Sequence, residues 1–247
     1  MNVKHGSSAF IRLSNKSGVL VDAGNREAAP HIIKFLKDHY IDTIKIAVIS
    51  HPDINHIGGF EPIIQSGKFI IKRVVKNRDT VAGKTYRTLM AAIKKKRIPV
   101  ITVKKDRKIN NVEIKNAGAS GGNLDHRSLV VYYTDFKSIA IMGDADAKAE
   151  KKLFSMKADI LVLGSNGAAT ATSEEFLDSA KPEIAVISVD RKQKPSVTVL
   201  QRLRKKGITC YRTDKAGDIE LSVYDWTLRV NGEELIKKQG IGGWSNK

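Results

Sequence analysis

One cysteine, Cys210, stands among 247 residues. It has no partner in the chain, so no disulfide framework can carry the fold, and this usage suits a reducing compartment. Long apolar runs are missing too: none approaches the ~18 residues that a membrane-spanning helix requires. The segment Met1-Asn2-Val3-Lys4-His5-Gly6 lacks the apolar core of a signal peptide. The chain therefore reads as a soluble, cytoplasmic, free-standing protein with no membrane span. Only six prolines occur, and no Pro- or Gly-rich linker divides the sequence. A chain of this length can bury a full core. It reads as one domain over residues 1–239, followed by a Gly-rich, frayed tail at 240–247.

Acidic residues are scarce beside basic ones: 26 Asp and Glu against 43 Lys and Arg, for a formal net charge of +17. The imbalance is concentrated. From Lys68 to Lys115 there are sixteen Lys or Arg and three acids, Asp79, Asp106 and Glu113. Such a stretch is a footprint for a phosphate backbone; its plainer counterpart is a solvated face on a Lys-rich protein. Phe69 and Tyr86 are its only aromatics, which disfavours base stacking. Backbone contact with low sequence specificity is the better match. The candidate nucleic-acid contacts are Lys72, Arg73, Lys76, Arg78, Lys94, Lys95, Lys96, Arg97, Lys104 and Lys105. If these clusters share a face, they form a continuous positive track beside the metal-binding loop considered next. A protein partner for the same face is the other reading, whereas a small-molecule hydrolase has no need of it.

Hydropathy patterning alternates strands with helices. It predicts a hairpin over residues 9–13 and 18–21, a second over 129–133 and 138–142, and buried strands at 44–49, 69–75, 160–163 and 184–189. Helices are predicted at 26–39, 58–65, 81–96, 147–156, 173–180 and 196–205, the fourth with Asp146 as its N-cap. Hairpins early in each half, with helices between later strands, suggest two packed sheets covered by helices. The strand at 44–49 runs into Ser50-His51-Pro52-Asp53-Ile54-Asn55-His56-Ile57-Gly58-Gly59. Two His and one Asp within six residues at a strand end are the material of a divalent metal site. The alternative is a turn held by hydrogen bonds, with Asp53 or Asn55 capping a helix that begins near Ile57. Asn55 is neutral where a metal site calls for a carboxylate.

This loop resembles the His-x-His-x-Asp-His loop of the metallo-β-lactamase superfamily, and more closely the His-x-Asp-x-Asp-His-x-Gly-Gly variant of the ComEC C-terminal domain family. The resemblance extends through Val19-Leu20-Val21-Asp22-Ala23-Gly24, Ser128-Leu129-Val130-Val131, Ile141-Met142-Gly143-Asp144, Thr172 to Phe176, Lys181 to Val189, and Tyr211 to Asp214 with Gly217. It implies an α/β fold, the four-layer αββα sandwich, and metal-assisted phosphodiester hydrolysis on nucleic acid. Carried over by position, His51 and Asp53 serve a first metal, Asn55 and His56 a second, and Asp144 bridges both. Asp53, Asp144 and Asn55 then fall at the reacting centre. His126 is a further candidate ligand, or else an exposed loop residue. Three positions depart from the pattern. Asn55 replaces Asp, Ser165-Asn166-Gly167 replaces His-His-Gly, and Lys194-Pro195 replaces His-Pro. These changes remove ligands and negative charge, so the expectation is zero or one divalent metal, Zn²⁺ or Mn²⁺, and not a full dinuclear site. Ser165 and Lys194 become candidate phosphate contacts. A catalytically inactive member that binds nucleic acid or a protein partner is the alternative function.

Overall fold

Residues 17–21 are buried without exception, and their side chains divide by the strand's period of two. Val19 and Val21 face one core and Leu20 another, so this strand is covered on both sides. The same division holds at residues 129–131, with Leu129 and Val131 on one face and Val130 on the other. The computed structural model describes residues 1–4, 6–118, 127–189, 194–224 and 227–234. His126, the tail from 240 and Trp244 lie outside these residues.

The first sheet contains β1 (Ala9–Ser14), β2 (Ser17–Val21), β3 (Thr43–Ile49), β4 (Ile70–Ile71), β5 (Val74–Lys76) and β6 (Val100–Thr102). Its order is β1-β2-β3-β5-β6, with β4 also paired to β3. The β1–β2 pair is an antiparallel hairpin, and the remaining pairs are parallel. The second sheet contains β7 (Arg107–Ile109), β8 (Val112–Asn116), β9 (Leu129–Thr134), β10 (Ser138–Ile141), β11 (Ile160–Val162), β12 (Ile184–Ile187) and β13 (Thr209–Arg212), in the order β13-β12-β11-β10-β9-β8-β7. Its β7-to-β10 half is antiparallel and its β10-to-β13 half parallel. A small third sheet, β14 (Leu221–Tyr224), β15 (Thr227–Val230) and β16 (Glu233–Glu234), completes the strands among the described residues.

Parallel neighbours need crossover connections. Helices α1 (Ala29–Asp38), α2 (Ile54–Ile57), α3 (Phe60–Gln65) and α4 (Lys84–Lys95) connect the first sheet. Helices α5 (Ala147–Glu150), α6 (Glu174–Ala180), α7 (Val197–Lys205) and α8 (Thr213–Ala216) connect or follow strands of the second. Three cores result. Ile32, Leu36, Phe60, Leu89 and Ile93 pack helices against the first sheet. Leu153, Phe176, Leu177, Val199 and Leu203 pack helices against the second. Val19, Val48, Val75, Ile114, Leu129 and Ile141 fill the space between the sheets. The layers are therefore helix, sheet, sheet, helix, as the sequence resemblance implied.

Several element boundaries differ from the sequence expectation. The helix expected over 58–65 is α3, which begins at Phe60, and a further short helix, α2, precedes it in the presumed loop, where the Asp53 side chain accepts from Asn55 N. The helix expected from 81 begins at Lys84, after Gly83 in extended conformation. The one expected over 147–156 is α-helical only to Glu150 and then tightens to a 3₁₀ turn at Lys151–Leu153. Strand β7 went unforeseen because Arg107 and Lys108 give it no apolar face; such charge is typical of an edge strand. No helix among the described residues is long and apolar enough to cross a membrane.

Candidate metal centre

Strands β2, β3 and β5 run parallel and end at one rim, as does β10 of the facing sheet. Side chains at such strand ends converge on the crevice beyond them. Asp22 follows β2 with φ +55, a left-handed conformation. It is fully buried, and its backbone N donates to Val48 O at 2.9 Å. The Asp22 carboxylate organises the loop after β3. Its Oδ1 accepts from Ser50 N at 2.8 Å, and its Oδ2 accepts from Ser50 Oγ at 2.7 Å and from His56 Nδ1 at 2.7 Å. The Ser50 hydroxyl proton is thereby committed to Asp22, so Ser50 Oγ is the acceptor for His51 Nδ1, 3.1 Å away. Both imidazoles thus carry their proton on Nδ1 and turn Nε2 lone pairs the other way. The rings lie 4.2 Å apart, centroid to centroid.

Both Nε2 atoms face Asp144, which follows β10 in the second sheet. Asp144 Oδ2 is 3.3 Å from His56 Nε2 and 3.7 Å from His51 Nε2. The other oxygen, Oδ1, is buried with no hydrogen-bond partner among the described residues. Asp144 is itself fixed by backbone: its N donates to Ser128 Oγ at 3.0 Å, and its O accepts from Ser165 Oγ at 3.1 Å. Gly143 permits this approach, since a Cβ there would stand 2.3 Å from Ser128 Oγ. Leu129 N donates to Ser50 O across the seam between the sheets.

Three acceptor groups converging in a buried place need a cation among them. In the metal-free site a proton fills part of that need. His56 holds its proton well above the usual range: burial alone would lower its pKa, and the Asp22 and Asp144 carboxylates outweigh it. Burial, reinforced by the neighbouring His56, lowers the His51 pKa. Burial pushes Asp144 upward, but His56 and His51 outweigh it and hold the carboxyl below its ordinary value. His51, His56 and Asp144 offer ligand atoms within 4.8 Å of one another. Their mixed N/O set and the orphaned Asp144 oxygen fit a divalent ion such as Zn²⁺ or Mn²⁺.

The remaining sequence candidates fall elsewhere. Asp53 caps α2 through Asn55 N at 2.9 Å and lies outside the three-residue group. Asn55 is exposed. Ser165 and Asn166 are consecutive left-handed residues, φ +48 and +52, and the Ser165 hydroxyl is engaged with Asp144 O. Lys194 is exposed, and the next residue, Pro195, packs against Gly167. His126 is outside the described residues. Sequence reasoning missed Asp22, Ser50 and Ser128 as the groups that orient the ligands. The Asp-x-Gly ending of β2 carried a signal for the first.

The basic segment does not form the expected continuous track beside this rim. Because β5 and β6 are parallel to β3, Lys72 and Arg73 before β5, and Lys94 to Arg97 before β6, lie at the end of the strands away from His51. Arg78, Lys104 and Lys105 follow those strands and lie at the rim end, exposed. Lys76 is no surface contact at all, being only 5% exposed. A cavity of about 540 Å³ opens along β1, Tyr133 and Val186, and none of the three converging residues lines it.

Two parallel-ended sheets, a His-rich loop on one and an aspartate on the other define a metallo-β-lactamase-type centre. The chain belongs to the metallo-β-lactamase superfamily, whose family model matches residues 1–190. It is similar to ComE operon protein 3 of Bacillus subtilis (strain 168), 25% identical over 89% of this chain and 32% of that protein. It is also similar to Recombination protein 2 of Haemophilus influenzae, 24% identical over 93% of this chain and 29% of that protein. The chain thus spans about a third of the length of these relatives. Among solved structures it resembles the metallo-β-lactamase fold protein YhfI of Bacillus subtilis, with TM-score 0.53 and 14% identity over 84% of this chain and 88% of that one. It also resembles Igni18, a metallo hydrolase of Ignicoccus hospitalis, with TM-score 0.56 and 14% identity over 85% of this chain and 92% of that one.

Proposed function

We propose that this protein is a metal-dependent phosphodiesterase acting on nucleic acid through a site holding a single divalent ion. The observation that carries the reading is the convergence of His51 Nε2, His56 Nε2 and the orphaned Asp144 carboxylate on one buried point. These three residues would hold the ion. An ion bound there supplies Lewis acidity and lowers the pKa of water. The chain's own groups do the rest. Asp144 Oδ1 is the acceptor for a proton of the attacking water. The exposed Asn55 amide and Lys194 are the groups this reading assigns to phosphate oxygens. A second ion lacks its ligands, since Asn55 and Ser165-Asn166 stand where the family has Asp and His-His.

Nucleic acid as substrate is supported by the charge of +17 and by the names of two relatives, a recombination protein and a competence protein. Ser165-Asn166 and Lys194 favour a second reading, a member that binds nucleic acid without cleaving it. Metal analysis followed by hydrolysis of a phosphodiester with Mn²⁺ and Zn²⁺ decides between them. Near one ion per chain and cleavage lost in Asp144→Asn supports the enzyme. Binding without cleavage under every metal supports the second reading, and two tightly bound ions would refute the single-ion assignment.

A further inference from the structure

Lys76 ends β5 and is the register partner of Ile49, two residues before His51. Its ammonium is buried, donating to Asn77 O at 2.6 Å and standing 5.9 Å from the centre of the Tyr86 ring. An ammonium has three donors, so two are left without a partner among the described residues of this enclosed place. Arg127 lies alongside. It immediately precedes Ser128, which fixes Asp144 N, and its own carbonyl accepts from Asn77 Nδ2 at 3.0 Å. The acid nearby, Asp79, is engaged by Arg127 and Asn77. Asp79 Oδ1 pairs with Arg127 Nη1 at 3.0 Å, while its Oδ2 accepts from Asn77 Nδ2 at 2.8 Å. Arg127 Nε is buried without a partner among the described residues, although the side chain as a whole is 34% exposed.

Among the described residues, two cations and one already engaged carboxylate leave an excess positive charge at the metal rim, partly enclosed and partly open. Burying unpaired charge is unfavourable unless an anion completes it. We propose that Lys76 and Arg127, held by Asn77 and Asp79, form a phosphate subsite beside the metal centre that grips a phosphate group of the substrate strand next to the one being cleaved. This inference rests on the phosphodiesterase reading for its substrate but not for its anion. The guanidinium fork supplies the directional hydrogen bonds to phosphate oxygens, and the ammonium supplies charge from behind. Burial lowers the Lys76 pKa, and the nearby Asp79 carboxylate only partly offsets it.

The test uses the full chain in excess EDTA, so that no metal contributes, with inorganic phosphate as probe and calorimetry or phosphorus NMR as readout. Wild type should bind phosphate. Arg127→Gln should weaken it by about tenfold or more, as loss of a charge-assisted hydrogen bond does, and Arg127→Lys should recover part. Lys76→Met should also weaken phosphate binding while leaving the thermal midpoint equal or higher, because it removes a buried unpaired charge. A lysine that is merely structural would show no phosphate effect. No phosphate binding by wild type, or equal binding by wild type and folded Arg127→Gln, overturns the subsite. Measuring duplex DNA and RNA binding on the same proteins separates the two claims. Nucleic acid bound equally well by all variants leaves the substrate reading standing without the subsite. Phosphate binding abolished in the variants, with no nucleic acid bound by wild type, leaves the subsite standing without that substrate.

Discussion

Asp22 is the residue on which the metal centre turns, although it touches no ion itself. By accepting from Ser50 and His56 it fixes both imidazole tautomers. Asp22→Asn would weaken metal affinity by about 10- to 100-fold, as loss of such an orienting carboxylate does; titration with Zn²⁺ against a competing chelator measures it. His56 adds a pH dependence. Its folded pKa is raised, so its protonation stabilises the metal-free fold fully below about pH 6.5, and that contribution is lost as pH rises through the folded value. A metal needs the same Nε2 free of its proton, so metal affinity runs the other way and rises with pH. The melting increment produced by Zn²⁺ should therefore grow between about pH 6 and pH 9; a flat increment would exclude proton competition at His56. Cys210 behaves oppositely to a functional group. Burial pushes its thiol up to about 12, so it should resist thiol reagents in the folded protein and react on denaturation.

At the scale of elements, the loop between β3 and α3 owes its shape to contacts that a sequence pattern does not display. Gly59 sits where a Cβ would come within 2.1 Å of Ala23 O. Gly59→Ala should therefore destabilise the protein by about 1–3 kcal/mol, the range for a forced overlap in a packed interior, and it should lower metal content because the displaced backbone carries His56. Thermal unfolding and metal analysis read the two effects. The pattern did reveal the strand before this loop, since residues 44–49 are apolar and buried apart from the exposed Lys45, and it named His51, His56 and Asp144. It offered Asp53 as a cap but put the helix start near Ile57 rather than Ile54, because a four-residue helix has too little periodicity to fix its bounds. It could not decide that Asp53 is turned to capping, since a carboxylate reads the same whether it holds a backbone N–H or an ion. Asp146 was legible as a cap because a helix follows it directly, and it accepts from Lys148 N and Ala149 N.

For the whole molecule, the four layers were legible from the order of hairpins and helices, whereas the distribution of charge was not. Charge along a sequence carries no direction, and the parallel course of β5 and β6 sends its neighbouring basic clusters to opposite ends. If nucleic acid is gripped at the rim, replacing Lys104 and Lys105 with Gln should make the log–log salt dependence of binding shallower by ~0.9 for each phosphate left without its lysine. It should also slow cleavage at limiting substrate. Replacing Lys94, Lys95 and Lys96 should change binding alone, and the reverse pattern would place the substrate at the far end. The division of the ligands between the sheets has a mechanical side. His51 and His56 belong to the first sheet and Asp144 to the second, so an ion held by all three is a rivet through the seam of the sandwich. The halves could then part only after the ion leaves. At an ion concentration a thousandfold above the dissociation constant this restraint amounts to ~4 kcal/mol. Amide exchange in β3 and in β10 that requires the halves to separate should slow together, by about a thousandfold, and recover together on chelation. Slowing confined to β3 would mean that the rivet passes through one plate only.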